Sequence, residues 1–325
     1  MNEGYRFVKL PAKVHRVERE YARHDRRVPD SISVRLDLTY EAEQPVHIGS
    51  GFKGLDGNVV VRCGAMVRGV PGVPGSSMKG VLRSRYEAIT RSCTGHTLKN
   101  SRSLRSSTGI TKGFFTKDVL SHDAFVPCTR ELMCAACALF GLMSKRSRIT
   151  VLDFEGDKAF VLEAMLEQFS PNDHHLGRCE IEDDGREKKF KISELRGRKF
   201  GMGHGPIPEK KQWQLVETIP KGTLLRGSVL LRNILREELG GLLVALGRHP
   251  ASALKIGSGK GNLRKNAADF DASFGRIKLV ELTWRDHAGK PLTEDARAAY
   301  EAFTKSADRW AEGENQLVAL HQGAC

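Results

Sequence analysis

Three cysteines fall within residues 128–137, "CTRELMCAAC", as Cys128, Cys134 and Cys137 in a C-x5-C-x2-C array. Nothing else in the chain restricts its folding so sharply, because such an array is useful only if its sulfurs converge. A closed structural zinc site takes four N or S ligands, and a C-x2-C turn supplies two of them at the right bite. A fourth ligand must then come from elsewhere. Cys93 and His96, a C-x2-H pair at the end of a helical segment, are the two candidates, with Cys93 favoured. The competing reading is that Cys134 and Cys137 in "CAACALFG" pack as small hydrophobes. The sequence has no His/Glu helix pair of the kind that an open catalytic zinc uses.

The seven cysteines carry this meaning only in a reducing compartment. The N-terminal "MNEGYRFVKL" has no apolar signal core, and stretches such as "GGLLVALG" are far too short to cross a bilayer. A cytoplasmic location with no membrane partner is therefore expected, where clustered cysteines point to metal rather than disulfides. The chain has 52 Lys+Arg against 39 Asp+Glu, a formal charge of +13. That balance suggests a polyanionic partner, with nucleic acid ahead of membrane, against the plainer alternative of a merely basic enzyme. With 40% hydrophobic residues the chain can bury a sizeable core.

Period-2 patterning predicts the first strand, where Ile32, Val34, Leu36, Leu38 and Tyr40 alternate with Ser33, Arg35, Asp37 and Thr39. Further strands are expected at "VVVRC", "RITVLDFEG", "TLLRGSVLLR" and "FGRIKLVELTW", with a helix at "EELGGLLVALGRH". A final helix is expected from about Thr293 to Glu312, burying Ala296, Tyr300, Phe303 and Trp310. "PVHIGSGFKGLDGN" reads as a glycine-rich loop and residues 97–123 as a long basic loop or a flexible insertion. Strands and helices mix without regular alternation, so the class is α+β.

"GVPGVPGSSMKGVLRSRYEAI", residues 69–89, turns twice on Pro-Gly and becomes a helix. Ser76 or Ser77 is expected to cap it, while Met78, Val81, Leu82, Tyr86 and Ile89 face a core. Lys79 and Arg83 share the other face beside a helix N-terminus that favours an anion, so a phosphate fits there. "IGSGKGNLRKN" lacks the Walker spacing, yet its glycines allow close backbone approach to phosphates, with Lys260, Arg264 and Lys265 nearby. An ordinary flexible hairpin is the alternative there. Asp56, in "FKGLDGNVVV", is by itself a turn residue, and its place before the basic helix makes it a catalytic candidate. His47, His204 and His249 are scattered, and read as structural or as RNA contacts.

In order, "PVHIGSG", "GVPGVPGSSMKGVLRS", "CAACALFG", "GRKF" and "KIGSGKGN" resemble the motifs of the RAMP superfamily. More narrowly they are similar to Cas-seven-like backbone subunits of type III CRISPR effector complexes. The resemblance implies a single RAMP domain over residues 1–325 with a ferredoxin-like, RRM-like core at about 31–96, 148–165 and 220–285. It also implies palm, fingers and thumb, with insertions at about 97–147 (basic loop and zinc site) and 171–211 (candidate thumb). Such subunits stack with copies of themselves and other Cas subunits along a guide RNA, and some cut the paired target RNA. His47, Ser76, Ser77, Lys79, Arg83, Lys260 and Arg264 are then the candidate RNA contacts, and Cys93, Cys128, Cys134 and Cys137 the candidate ligands of a structural Zn2+. Asp56 matches the position of the cutting carboxylate, with Mg2+ or another divalent cation as its helper. Cutting members place a Pro just beyond that Asp, where this chain reads "GLDGNVV". Three readings follow: a metal-dependent endoribonuclease, a non-catalytic RNA-binding scaffold, and a zinc-stabilised protein-interaction module.

Overall fold

The alternation that begins at Ile32 folds as a strand whose inner residues Val34, Leu36, Leu38 and Tyr40 are all buried. The structure, a computed structural model, describes residues 5–22, 24–95, 101–106, 109–167, 177–183, 188–201, 213–257, 261–263, 274–286, 288–293 and 295–322. In chain order, the first elements around the site are β1 (Ile32–Ala42), β2 (Gly49–Asp56), β3 (Val59–Gly64), β4 (Val70–Val73) and α1 (Gly75–Ile89). Next come α2 (Ala135–Phe140), β5 (Ile149–Val151), β6 (Phe154–Gly156), β7 (Val161–Glu167) and β8 (Trp213–Thr218). The last are β9 (Leu224–Ile234), α3 (Arg236–Ala245), β10 (Arg276–Arg285), α4 (Ala296–Lys305) and α5 (Ala311–Gln322).

The principal sheet runs β10-β1-β9-β6-β4, with every neighbouring pair antiparallel, and short strands extend it at both edges. Period-2 burial on β1 and β9 gives the sheet one apolar face. Met78, Leu82 and Tyr86 of α1 and Leu239, Leu242 and Leu243 of α3 join that face in one core. Tyr40 crosses this core, donating its hydroxyl to the Leu246 carbonyl at 3.0 Å and meeting Phe154 edge-on at 5.8 Å. Arg148 and Glu238 are also wholly buried here; Arg148 Nη1 donates to Glu238 Oε2 at 2.9 Å, and its Nη2 pairs with Oε1.

A second sheet orders Gly261–Leu263, β7, β8, β3 and β2. The stretch expected as a glycine-rich loop is therefore largely strand β2. Its low intrinsic preference for strand is overridden by pairing with β3 across a turn at Gly57 and Asn58, with an irregularity between Gly49 and Lys53 absorbing the glycines. The basic stretch after α1 also departs from expectation. Ser101–Ser106 and Gly109–Phe115 form a hairpin, and its second strand pairs in parallel with Lys188–Leu195 of the later polar segment. Neither half has a clear apolar period, because each is completed only by the other.

The N-terminal stretch before β1, which carries several Lys and Arg, is pinned to the body at several points. Tyr5–Val8 pairs with Arg198–Gly201 and Val17–Glu18 with Leu132–Met133. Arg16 pairs with Asp123 at 2.6 Å, and Arg19, nearly fully buried, donates to both carboxylate oxygens of Asp308 at 2.6 and 2.8 Å. The expected final helix is two helices. Between them Ser306 is extended, and Trp310 N–H donates to the Ile89 carbonyl at 2.8 Å, so the chain breaks helix to pair with the end of α1. No helix among the described residues is long and apolar enough to cross a membrane.

Candidate metal centre and basic cleft

Two helix ends bring the cysteines together. Cys134 is the N-cap residue of α2 and Cys137 lies in its first turn, so the C-x2-C spacing puts both sulfurs on one side. Cys93 follows α1 by four residues, where Ser92 Oγ accepts the Ala136 N–H at 3.2 Å and so ties the end of α1 to the start of α2. The sulfur of Cys93 lies 3.6, 3.7 and 3.8 Å from those of Cys137, Cys128 and Cys134. All four ligand atoms lie within 4.8 Å of one another. A tetrahedral ion with Zn–S arms of about 2.3 Å requires S···S edges of about 3.8 Å, so the spacing suits a metal such as zinc.

The four thiols act on one another. Cys134 N–H points to Cys128 Sγ at 3.2 Å. Hydrogen bonds with Cys128, Cys137 and Cys93 hold the Cys134 thiol well below the ordinary thiol range, while contacts led by Cys128 push Cys137 far above it. Four thiolates at this spacing repel one another, so holding all four charged needs a cation among them. His96, the other candidate for the fourth position, lies outside the described residues.

Beside this cluster opens a cleft of about 920 Å³, lined by Ser76, Lys79 and Arg83 of α1, by Cys93, Cys128 and Cys137, and by the 141–147 turn. Gly141 makes that turn possible: its φ is +86° and a Cβ there would stand 2.7 Å from the Lys145 carbonyl. Leu142 and Lys145 then exchange backbone hydrogen bonds of 3.0 Å, which presents Lys145 and Arg146 to the cleft. Lysine and arginine in "GLMSKRSRIT" form a basic cluster visible in the sequence, and only the turn at Gly141 shows that it belongs to the cleft.

The start of α1 differs from expectation. Its N-cap is Pro74, which offers no side-chain hydrogen bond, so neither Ser76 nor Ser77 caps the helix; both lie inside the first turn. A carboxylate already serves this end, because Gly75 N–H donates to Asp153 Oδ1 at 2.7 Å. Lys79 has no hydrogen-bond or ion-pair partner among the described residues. Burial, then repulsion from Arg83, lowers its pKa below the ordinary lysine value of 10.5. Arg83 is engaged: Nε donates to Glu87 Oε1 at 2.8 Å and Nη1 to the Gly141 carbonyl at 3.3 Å. Burial opposes its charge, and the Glu87 carboxylate overcomes this and raises the pKa.

Asp56 sits apart from this cleft, exposed at the end of β2, where it lines a smaller hollow with Cys63, Phe160 and Glu217. Glu217 Oε2 there accepts the Gly64 N–H at 2.7 Å. His47 is buried, and its Nδ1 donates to the Glu217 carbonyl at 2.8 Å. The two glycine motifs meet here. Gly257, at φ +80°, lies so close to the His47 carbonyl that a Cβ would stand 2.6 Å from it. Lys260, Arg264, Lys265 and His204 lie outside the described residues.

The family model of the RAMP superfamily matches residues 39–264, more than half of the chain. That span begins near the end of β1 and takes in both glycine motifs, the cleft and all four clustered cysteines. No curated protein is similar enough to match.

Proposed function

The chain belongs to the RAMP superfamily, and from that premise we propose that it is an RNA-binding subunit of a CRISPR effector complex that holds guide RNA in the basic cleft. The observation that carries this is the convergence of Ser76, Lys79, Lys145 and Arg146 on one open cleft beside the cysteine cluster. A protein that holds arbitrary guides must read phosphate and shape, and a cleft lined by cations and a hydroxyl is suited to that. The order β10-β1-β9-β6, with α1 between β1 and β6 and α3 between β9 and β10, supports a ferredoxin-like core. In this reading the chain is a backbone subunit of a type III complex, stacked on copies of itself and other Cas subunits, and zinc fills the four-cysteine site. Photocrosslinking of bound single-stranded RNA tests it. Crosslinks should concentrate in peptides containing residues 75–83 and 142–147; crosslinks confined to other peptides would refute the cleft.

The cutting of complementary target RNA is a second part of the proposal. Asp56 is exposed at a hairpin tip, flanked by Gly57 and open to an approaching strand. It would orient the target 2′-hydroxyl for in-line attack: the 2′-O–P bond forms, the 5′-O–P bond breaks, and a cyclic phosphate and a 5′-hydroxyl result. Mg2+ or another divalent cation would supply charge stabilisation there when bound. A scaffold without this activity is the alternative, and the outcome with Asp56→Ala separates the two.

A further inference from the structure

The "GRKF" segment has no role in the cleft, yet its arginine reaches the cysteine site. Arg198 Nη2 donates to the Cys93 carbonyl at 2.7 Å, and Arg198 Nη1 donates to Glu87 Oε2 at 2.7 Å. Glu87 is nearly buried, and its other oxygen is taken by Arg83 Nε at 2.8 Å. Arg83 in turn donates to the Gly141 carbonyl, while Gly141 N–H donates to the Cys137 carbonyl at 3.0 Å. The arginines thus bracket the cluster from both sides, one at the Cys93 backbone and one at the segment leaving Cys137. Two guanidiniums against one carboxylate leave a net positive charge at this spot. A dication on four thiolates leaves two negative charges. Those charges would lie on the wall of a cleft proposed to receive phosphates, since Cys93, Cys128 and Cys137 line it. The positive surplus stands beside them.

We propose that Arg83 and Arg198, joined through Glu87, are positioning residues of the four-cysteine metal site, and that Arg83 is its counter-charge rather than a phosphate ligand. The reading rests on a metal occupying that site. It divides the basic residues of α1 into two jobs one turn apart: Lys79, unpartnered among the described residues, faces the RNA, and Arg83 faces the metal. Groups that orient metal ligands from outside typically change metal affinity by about 10–100-fold when removed.

The test compares zinc-loaded full chain with Arg83→Met, Arg83→Lys, Arg198→Lys and Lys79→Met. Two readouts are taken: zinc transfer to a colorimetric chelator, and the slope of RNA affinity against salt for a single-stranded RNA. Arg83→Met should release zinc about 10-fold faster or more, with Arg83→Lys recovering part of the loss and the salt slope unchanged in both. Arg198→Lys keeps the charge but loses the fork, and should also speed release. Lys79→Met should leave release unchanged and reduce the salt slope by about 0.7. Unchanged zinc release in Arg83→Met, with a salt slope reduced as in Lys79→Met, would overturn the proposal. A parent chain carrying no metal would overturn the metal reading beneath it, a result that zinc content alone distinguishes.

Discussion

Cys93 Sγ stands 3.6 Å from Cys137 Sγ, although 44 residues separate them in the chain. That contact links the end of the basic helix to the start of α2, so the cysteine cluster and the cleft share one wall. A metal held there is expected to contribute folding energy directly, as closed thiolate sites do. Elemental analysis of the purified chain should give one zinc per chain. Cys134→Ser should lower both metal content and melting temperature. Metal well under one equivalent, with no stability loss in the variant, would sink the reading.

The Arg148–Glu238 pair sets the stability of the core beneath the cleft. Both side chains are buried, and Arg148 also donates to the Ala138 carbonyl at 3.0 Å, at the foot of α2. Removing one partner leaves a buried charge alone, so Arg148→Met should cost about 3–5 kcal/mol in urea unfolding. Adding Glu238→Leu should restore much of that loss. A cost below about 1 kcal/mol for the single variant would show that water reaches the carboxylate.

Lys79 gives the cleft a pH signature. Its folded pKa is lowered by burial and by Arg83, whereas a bound phosphate favours the ammonium. As pH rises through that lowered value, binding must first restore the proton, so affinity should fall at a lower pH than an ordinary lysine would dictate. Arg, which stays charged, should remove the effect. The check is RNA affinity of the parent and Lys79→Arg across alkaline pH, and parallel curves would contradict it.

Asp56→Ala should abolish cutting of complementary RNA in the assembled complex while guide binding and melting are unchanged, because the side chain is exposed and no hydrogen bond in the fold depends on it among the described residues. Parent and variant are to be compared with and without Mg2+. Equal cutting by both would move the chemistry to another residue, and no cutting by either would leave the scaffold.

Much of the principal sheet was legible because period-2 burial is a local signal. β1, β9 and β10 follow their apolar alternation, and α1 follows Met78, Leu82 and Tyr86. The cysteine spacing was legible for the same reason, since C-x2-C is a local turn. What escaped depends on distant partners. β2 is a strand because β3 pairs with it, and Gly109–Phe115 because Lys188–Leu195 does. Nothing near Ser306 predicts that the last helix breaks to reach Ile89. Charge was the least legible. Arg16 and Arg19 add to the positive balance of the sequence but are spent on Asp123 and Asp308, and Arg83 read as a phosphate contact and is spent on Glu87.

The central claim is that the cleft holds RNA by its phosphates, and its most direct measurement is the salt dependence of binding. Affinities of the purified chain for two unrelated single-stranded RNAs should fall along the same line of log K against log salt. Lys79→Gln with Arg146→Gln should weaken both RNAs by a similar factor and reduce the slope by about 1.4, at about 0.7 per lost phosphate contact. An unchanged slope and affinity in that double variant, or a loss confined to one RNA sequence, would contradict the account.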